Sequence, residues 1–304
     1  MTAMQLVLDD RDAFVRVTAT RQWRRIIVSG LLFGAVVWLL GVALFWTAES
    51  RFVFMTGLSR RYTAPLDPAV FKAHTFVSTN GLRLNGVVLT HESPRDRYWI
   101  LFCPPAGAST LLPRVQHQLK QLSVLGYNVM AFDYRGFGDS PGVPTEEGLY
   151  ADAAAAHAYL ARHFGAPASR IILAGRSLGA AVAIDLATRV EAGGLLLFAP
   201  IDSVPQAAAR FYPFLPAQLL AQYRFDAARK AGDISLPLVI FFARGDQYMP
   251  PDDARSFAQK FRGRKLIVET GGGHHHAGFI HIAELNRAMT AFWPYPTTVV
   301  SDQK

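Results

Sequence analysis

Six short apolar runs recur along this chain, and stretches of helical character separate most of them. The runs are "YWILF" (98–102), "NVMAFD" (128–133), "RIILA" (170–174), "GLLLF" (194–198), "PLVIFF" (237–242) and "KLIVE" (265–269). Strands with almost no polar residue on either face must be buried from both sides, which requires a parallel sheet covered by helices above and below. Helices are predicted over 114–125, 146–163, 178–190, 252–261 and 280–292. Ahead of them "HTFVST" and "LRLNGVVLT" alternate apolar and polar residues around Asn80-Gly81, a hairpin signal. The expected architecture is α/β: a mostly parallel central sheet flanked by helices. Ligands bind such sheets at the carboxyl ends of the strands, so the chemistry is sought in the residues after each run.

A different feature precedes this body. Residues 26–48, "IIVSGLLFGAVVWLLGVALFWTA", contain no charge. As a helix they extend about 34 Å, enough to cross a hydrocarbon core of about 30 Å. The run is longer than a secretory h-region and ends without a small-x-small site, so it reads as an uncleaved anchor. Arg11, Arg16, Arg21, Arg24 and Arg25 lie before it, and Arg51, Arg60 and Arg61 after it. This bias predicts a cytoplasmic N-terminus and a body on the opposite face, periplasmic, extracellular or luminal. The expected division is a cytoplasmic segment 1–25, a transmembrane helix 26–48, a juxtamembrane link 49–70 and a catalytic domain 71–304. A short cap is expected around 201–235.

The chain is basic, with a formal net charge of +8, which suits anionic lipid head groups. No basic run is interleaved with aromatics, so nucleic acid is not an expected partner. The single cysteine, Cys103, excludes an intrachain disulfide. At the end of a strand and without a base of its own it reads as a packing residue.

After "RIILA" comes Gly175-Arg176-Ser177-Leu178-Gly179, a G-x-S-x-G. A nucleophile on a sharp strand-to-helix turn needs tiny residues two positions away on each side, so that strand and helix can pack closely. A serine hydroxyl also needs a base, and the base an orienting acid. Asp246 follows "PLVIFF" and His274 follows "KLIVE" on the glycine-rich "TGGGHHH", in the order Ser, Asp, His expected of this elbow. His275 is the alternative base and Asp202, in "APIDSVP", the alternative acid. The backbone N–H of Leu178 is the first expected oxyanion donor. The second lies in "CPPAGAST" after "YWILF", where Pro104 and Pro105 have no N–H. Ala106 is favoured there, with Gly107 next.

These residues together resemble the α/β-hydrolase superfamily, and within it the membrane-anchored ABHD-type serine hydrolases. The resemblance covers about 75–293. It rests on "FDYRGFGDSPGVPTEEGLYAD", "AGRSLGAAVA", "RFYPFLP", "RFDAARK", the Asp246-x-x-Met249-Pro250 segment and "GGGH". It implies that Asp133 and Arg135 brace the loop beside the active site. It also implies that 200–237 holds the cap, whose apolar "FYPFLPAQLLAQY" either roofs an acyl pocket or packs on the sheet. Relatives carry a His-Gly-Asn-Ala-Gly type of oxyanion loop where this chain has Cys103-Pro104-Pro105-Ala106-Gly107.

The function expected is a serine hydrolase cleaving an acyl ester, thioester or amide through an acyl-enzyme, on a small or acylated, lipid-like substrate at the membrane surface. Neither metal nor organic cofactor is called for. A peptidase of the same fold and a silent membrane-anchored scaffold are the alternatives.

Overall fold

The computed structural model describes residues 2–91, 97–279 and 282–294. Its elements in chain order begin with α1 (Thr2–Phe54), α2 (Thr56–Ser59), β1 (Lys72–Val77), β2 (Arg83–Leu89), β3 (Trp99–Cys103), α3 (Pro113–Val124), β4 (Asn128–Phe132) and α4 (Glu146–His163). There follow β5 (Ile171–Arg176), α5 (Leu178–Ala187), β6 (Gly194–Phe198), α6 (Val204–Phe211), α7 (Ala217–Leu220) and α8 (Ala227–Lys230). The last are β7 (Leu238–Ala243), α9 (Pro251–Gln259), β8 (Lys265–Thr270) and α10 (Ile282–Phe292). The chain divides into two compact units, Met1–Ala48 and Glu49–Lys304.

The first unit is helical throughout its described length, and its apolar window, long enough to cross a bilayer, has no buried residue. The second unit is built on an eight-stranded sheet in the order β1-β2-β4-β3-β5-β6-β7-β8. β2 runs antiparallel to both β1 and β4; β3 through β8 are parallel to one another. At the β1–β2 turn Asn80 and Gly81 both take positive φ, 58° and 72°, the backbone that an Asn-Gly pair adopts most readily.

Residues of β3 through β7 are buried without exception. Their side chains alternate between two apolar layers. Trp99, Leu101, Met130 and Phe132 pack with α4 and α5 on one face. Ile100, Phe102, Val129 and Ala131 pack with α3 and α10 on the other. Helix α4 starts and stops where its capping chemistry dictates. Thr145 accepts from the Gly148 N–H, Glu146 and Glu147 occupy the first turn, and Arg162 and His163 the last.

Several boundaries differ from the sequence reading, α3 by one residue at each end. Helix α5 ends at Ala187 rather than 190, where the Thr188 hydroxyl turns back to the Asp185 carbonyl at 2.7 Å and competes with further helix. Helix α9 lies one residue earlier at its start than expected and ends at Gln259. The residues read as a link from 49 onward instead continue α1 to Phe54 and form α2, with Glu49, Phe54 and Ser59 buried in the second unit. The start of the closing helix, residues 280 and 281, lies outside the described residues.

Candidate active site

Register brings the strand ends to one rim. Cys103 of β3 pairs with Gly175 of β5, Arg176 with Phe198 of β6, and Ala243 of β7 with Thr270 of β8. Ser177 follows β5 directly, with Ala106, Asp246 and His274 three or four residues past their strands.

Ser177 has φ 51° and ψ −120°, a conformation that an L-residue adopts only where its surroundings impose it. The surroundings are two glycines. A Cβ on Gly175 would overlap the Gly179 carbonyl, and one on Gly179 would overlap the carbonyl oxygens of Cys103 and Pro104. Strand β5, helix α5 and the loop after β3 thus meet at backbone-to-backbone distance, and the Ser177 N–H is tied to the Phe198 carbonyl at 3.0 Å.

The hydroxyl stands 2.9 Å from His274 Nε2. On the far side of the ring, Nδ1 faces both oxygens of Asp246, at 3.0 and 2.8 Å. A nitrogen flanked by a carboxylate carries the proton, so Nε2 presents its lone pair and Ser177 donates to it. Asp246 is itself held by the N–H groups of Tyr248 (2.9 Å) and Met249 (3.1 Å). Asp246 and His274 are both buried, so solvent competes little for these bonds.

The alternatives read from the sequence occupy other places. His275 is exposed, and burial of part of its ring and the nearby Arg176 charge hold its pKa below the usual histidine value. His276 Nδ1 accepts from the Gly273 N–H at 3.2 Å. Asp202 accepts from the Ser203 N–H and pairs with Arg210 at 3.1 Å.

Leu178 is the first residue of α5, and the first N–H groups of a helix have no intrahelical acceptor. In the loop after β3 the Gly107 N–H donates to the Phe54 carbonyl at 2.9 Å and that of Ala108 to Pro105 at 3.2 Å. Gly107 is therefore occupied, which leaves Ala106 as the donor candidate of that loop.

Asp133 accepts from the Thr110 N–H (2.6 Å) and hydroxyl (3.1 Å), and burial pushes its pKa up to about 7. Arg135 forks onto Asp152, as close as 2.7 Å, and reaches Thr79 at 2.9 Å. Burial pushes the Cys103 thiol up to about 12, so at neutral pH it is a protonated core residue.

Three participants carry no signal in the sequence pattern. Arg176, the variable residue of G-x-S-x-G, donates to the His274 carbonyl at 3.1 Å; burial lowers its pKa to about 10, still charged at neutral pH. Tyr248 lays its ring 4.5 Å from that of His274. Phe54, inside the expected link, supplies the acceptor for Gly107.

A mostly parallel sheet with a serine on a strained G-x-S-x-G turn after a central strand, and an acid and a histidine after later strands, defines an α/β-hydrolase architecture. The family model described as serine aminopeptidase, S33, matches residues 106–225. The uncharacterized protein Rv2307c of Mycobacterium tuberculosis is 30% identical over 240 residues, covering 77% of this chain and 83% of its own length. The α/β hydrolase domain-containing protein aho-3 of Caenorhabditis elegans is 44% identical over 163 residues, 54% of this chain and 48% of its own. Human α/β hydrolase domain-containing protein 17B is 31% identical over 158 residues, 51% and 52% respectively. In three dimensions the chain is similar to the Pyrococcus furiosus esterase Pf2001, with a TM-score of 0.64 at 20% identity over 76% of this chain and 94% of that one. The chain belongs to the α/β-hydrolase superfamily.

Proposed function

We propose that this chain is a serine hydrolase that cleaves an acyl ester, thioester or amide through an acyl-enzyme. The observation that carries the reading is the unbroken relay from Ser177 Oγ to His274 Nε2 and from Nδ1 to Asp246. Ser177 attacks the acyl carbon while Nε2 takes its proton. Asp246 fixes the tautomer and stabilises the imidazolium. The N–H groups of Leu178 and Ala106 receive the negative charge on the former carbonyl oxygen, a contribution of about 3–4 kcal/mol per donor in comparable sites. The imidazolium then protonates the leaving group, and the acyl–oxygen bond to Ser177 replaces the bond that breaks. Water, deprotonated by the same nitrogen, releases the acid and restores the serine.

The apolar helix of the first unit supports a single-pass membrane anchor, and the arginine bias favours a hydrolase unit opposite the cytoplasm. Exposed apolar side chains on the cap, Phe214 and Leu219 among them, favour a lipid-like or acylated substrate at the membrane surface over a peptide. The test is a panel of p-nitrophenyl esters of increasing chain length beside aminoacyl amides. Rising kcat/KM with acyl length supports this substrate class, and a preference for the amides contradicts it. A folded protein inert to every substrate and to a fluorophosphonate would point instead to a scaffold.

A further inference from the structure

The segment that follows the apolar run holds two parts of the site at once. Helix α1 ends at Phe54, Met55 turns into the left-handed region with φ 52°, and α2 begins at Thr56. The last carbonyls of a helix have no acceptor role inside it, and the one at Phe54 is taken by the N–H of Gly107 in the oxyanion loop. Gly107 has φ +66°, and a Cβ there would come within 3.2 Å of Met55 Cβ and 3.3 Å of Leu58 Cβ. The loop backbone therefore lies directly on α2. Ser59 adds two further ties. Its carbonyl accepts from the Ser109 hydroxyl at 2.7 Å, and its own hydroxyl accepts from the Gly138 N–H at 3.0 Å. Arg60 Nε then donates to the Gly138 carbonyl at 2.9 Å.

The other side of the segment meets the cap. The buried Glu49 carboxylate accepts from the N–H groups of Gln222 (2.9 Å) and Tyr223 (3.2 Å). Glu146 accepts from the next two, Arg224 (2.6 Å) and Phe225 (2.9 Å). Four successive cap amides thus hang from two carboxylates. The Phe54 ring stands edge-on to Tyr223 at 4.8 Å and to Phe225 at 6.1 Å. Phe54 is fully buried and joins both halves: its carbonyl serves the oxyanion loop and its ring serves the cap.

We infer that Glu49, Phe54 and Ser59 are positioning residues of the hydrolase site, through which the segment continuous with the apolar helix sets the oxyanion loop and the cap. The inference rests on the serine-hydrolase reading above. The Pro104-Pro105 pair makes the dependence acute. Two of the loop's residues offer no N–H and Gly107 spends its own on Phe54, so the Ala106 amide has no neighbour to substitute for it. A donor displaced by an ångström or so stabilises the transition state far less than one in place.

The test uses the full-length protein in detergent micelles. Active sites are counted by exhaustive fluorophosphonate labelling of Ser177, and kcat per labelled site and KM are measured with p-nitrophenyl butyrate. Phe54→Ala is expected to lower kcat per site by about 10- to 100-fold with KM within about threefold, and Phe54→Leu to recover most of it. Ser109→Ala, which removes the hydroxyl that donates to the Ser59 carbonyl, is expected to show a loss of several-fold in the same parameter. Unchanged kcat per site in the variants, with only thermal stability or the labelled fraction reduced, would overturn the inference and leave the segment as structural packing. Should Phe54→Ala fail to fold, Ser109→Ala decides by the same criterion. A wild type that neither turns over nor labels would overturn the hydrolase reading itself, and this inference with it.

Discussion

The two loops that meet beside Ser177 are built in opposite ways. The elbow after β5 is made by its own sequence. Gly175 and Gly179 leave room for crossing backbones, and the strained serine lies between them. The loop after β3 is made by residues remote in the chain: Phe54 holds Gly107, Ser59 holds Ser109, and Thr110 binds Asp133. A local steric rule leaves a motif in the sequence, whereas braces between residues remote in the chain leave no spacing that reports them. The first loop should fail abruptly when mutated and the second by degrees.

The sharpest way to break this contrast is at the elbow. Gly179→Val forces side-chain atoms into the Cys103 and Pro104 carbonyls, so loss of folded protein or of at least 10³ in kcat/KM is expected. Near-normal turnover in that variant would mean that the close crossing is not required. Asp246→Asn keeps the shape of the acid but favours the wrong imidazole tautomer. A fall in kcat of about 10⁴ is expected, with the fold intact by circular dichroism.

At the remote-braced loop the effect should be smaller. Gly107→Ala meets both an unfavourable φ and the side chains of Met55 and Leu58. Its kcat should drop by roughly 10- to 100-fold with KM little changed. A loss as deep as at the elbow would erase the distinction between the two loops.

A separate effect, on stability rather than turnover, concerns Asp133, which anchors this second loop. A carboxyl whose pKa rises to about 7 on folding binds its proton more tightly in the native state than in the unfolded one. Its contribution to stability is therefore greatest below the unfolded value near 4, declines as pH rises toward 7, and is constant above that. Asp133→Asn removes this term. The stability of the variant relative to wild type, from denaturant titrations, should improve steadily between pH 4 and pH 7. A difference independent of pH would show that the carboxyl is not shifted.

The same contrast separates the features that the sequence reveals from those that only the folded chain creates. The parallel sheet was legible because buried strands must be apolar on both faces, and α4 because Thr145, the paired glutamates and the terminal Arg162 and His163 mark its ends. Ser177, Asp246 and His274 were proposed from their order and their places after strands, and His274 lies within hydrogen-bond reach of both Asp246 and Ser177. The choice among three adjacent histidines was not forced by spacing; it is decided by which ring the glycine loop turns inward. Residues 49–59 read as a link because the partners of their main-chain and side-chain groups, Gly107, Ser109, Gly138 and the 222–225 stretch, lie far away in the chain, which no periodicity reports. Tyr248 and Arg176 were missed for a similar reason: each acts through a contact created only when the strand ends converge.

The central claim is that Ser177 is an activated nucleophile, and mass spectrometry of the protein after brief exposure to a fluorophosphonate tests it most directly. A single adduct is expected on the peptide bearing Ser177, formed rapidly in the wild type, absent in Ser177→Ala and slowed by orders of magnitude in His274→Ala. Folded wild-type protein that stays unmodified, or that reacts equally fast without the imidazole, would contradict it.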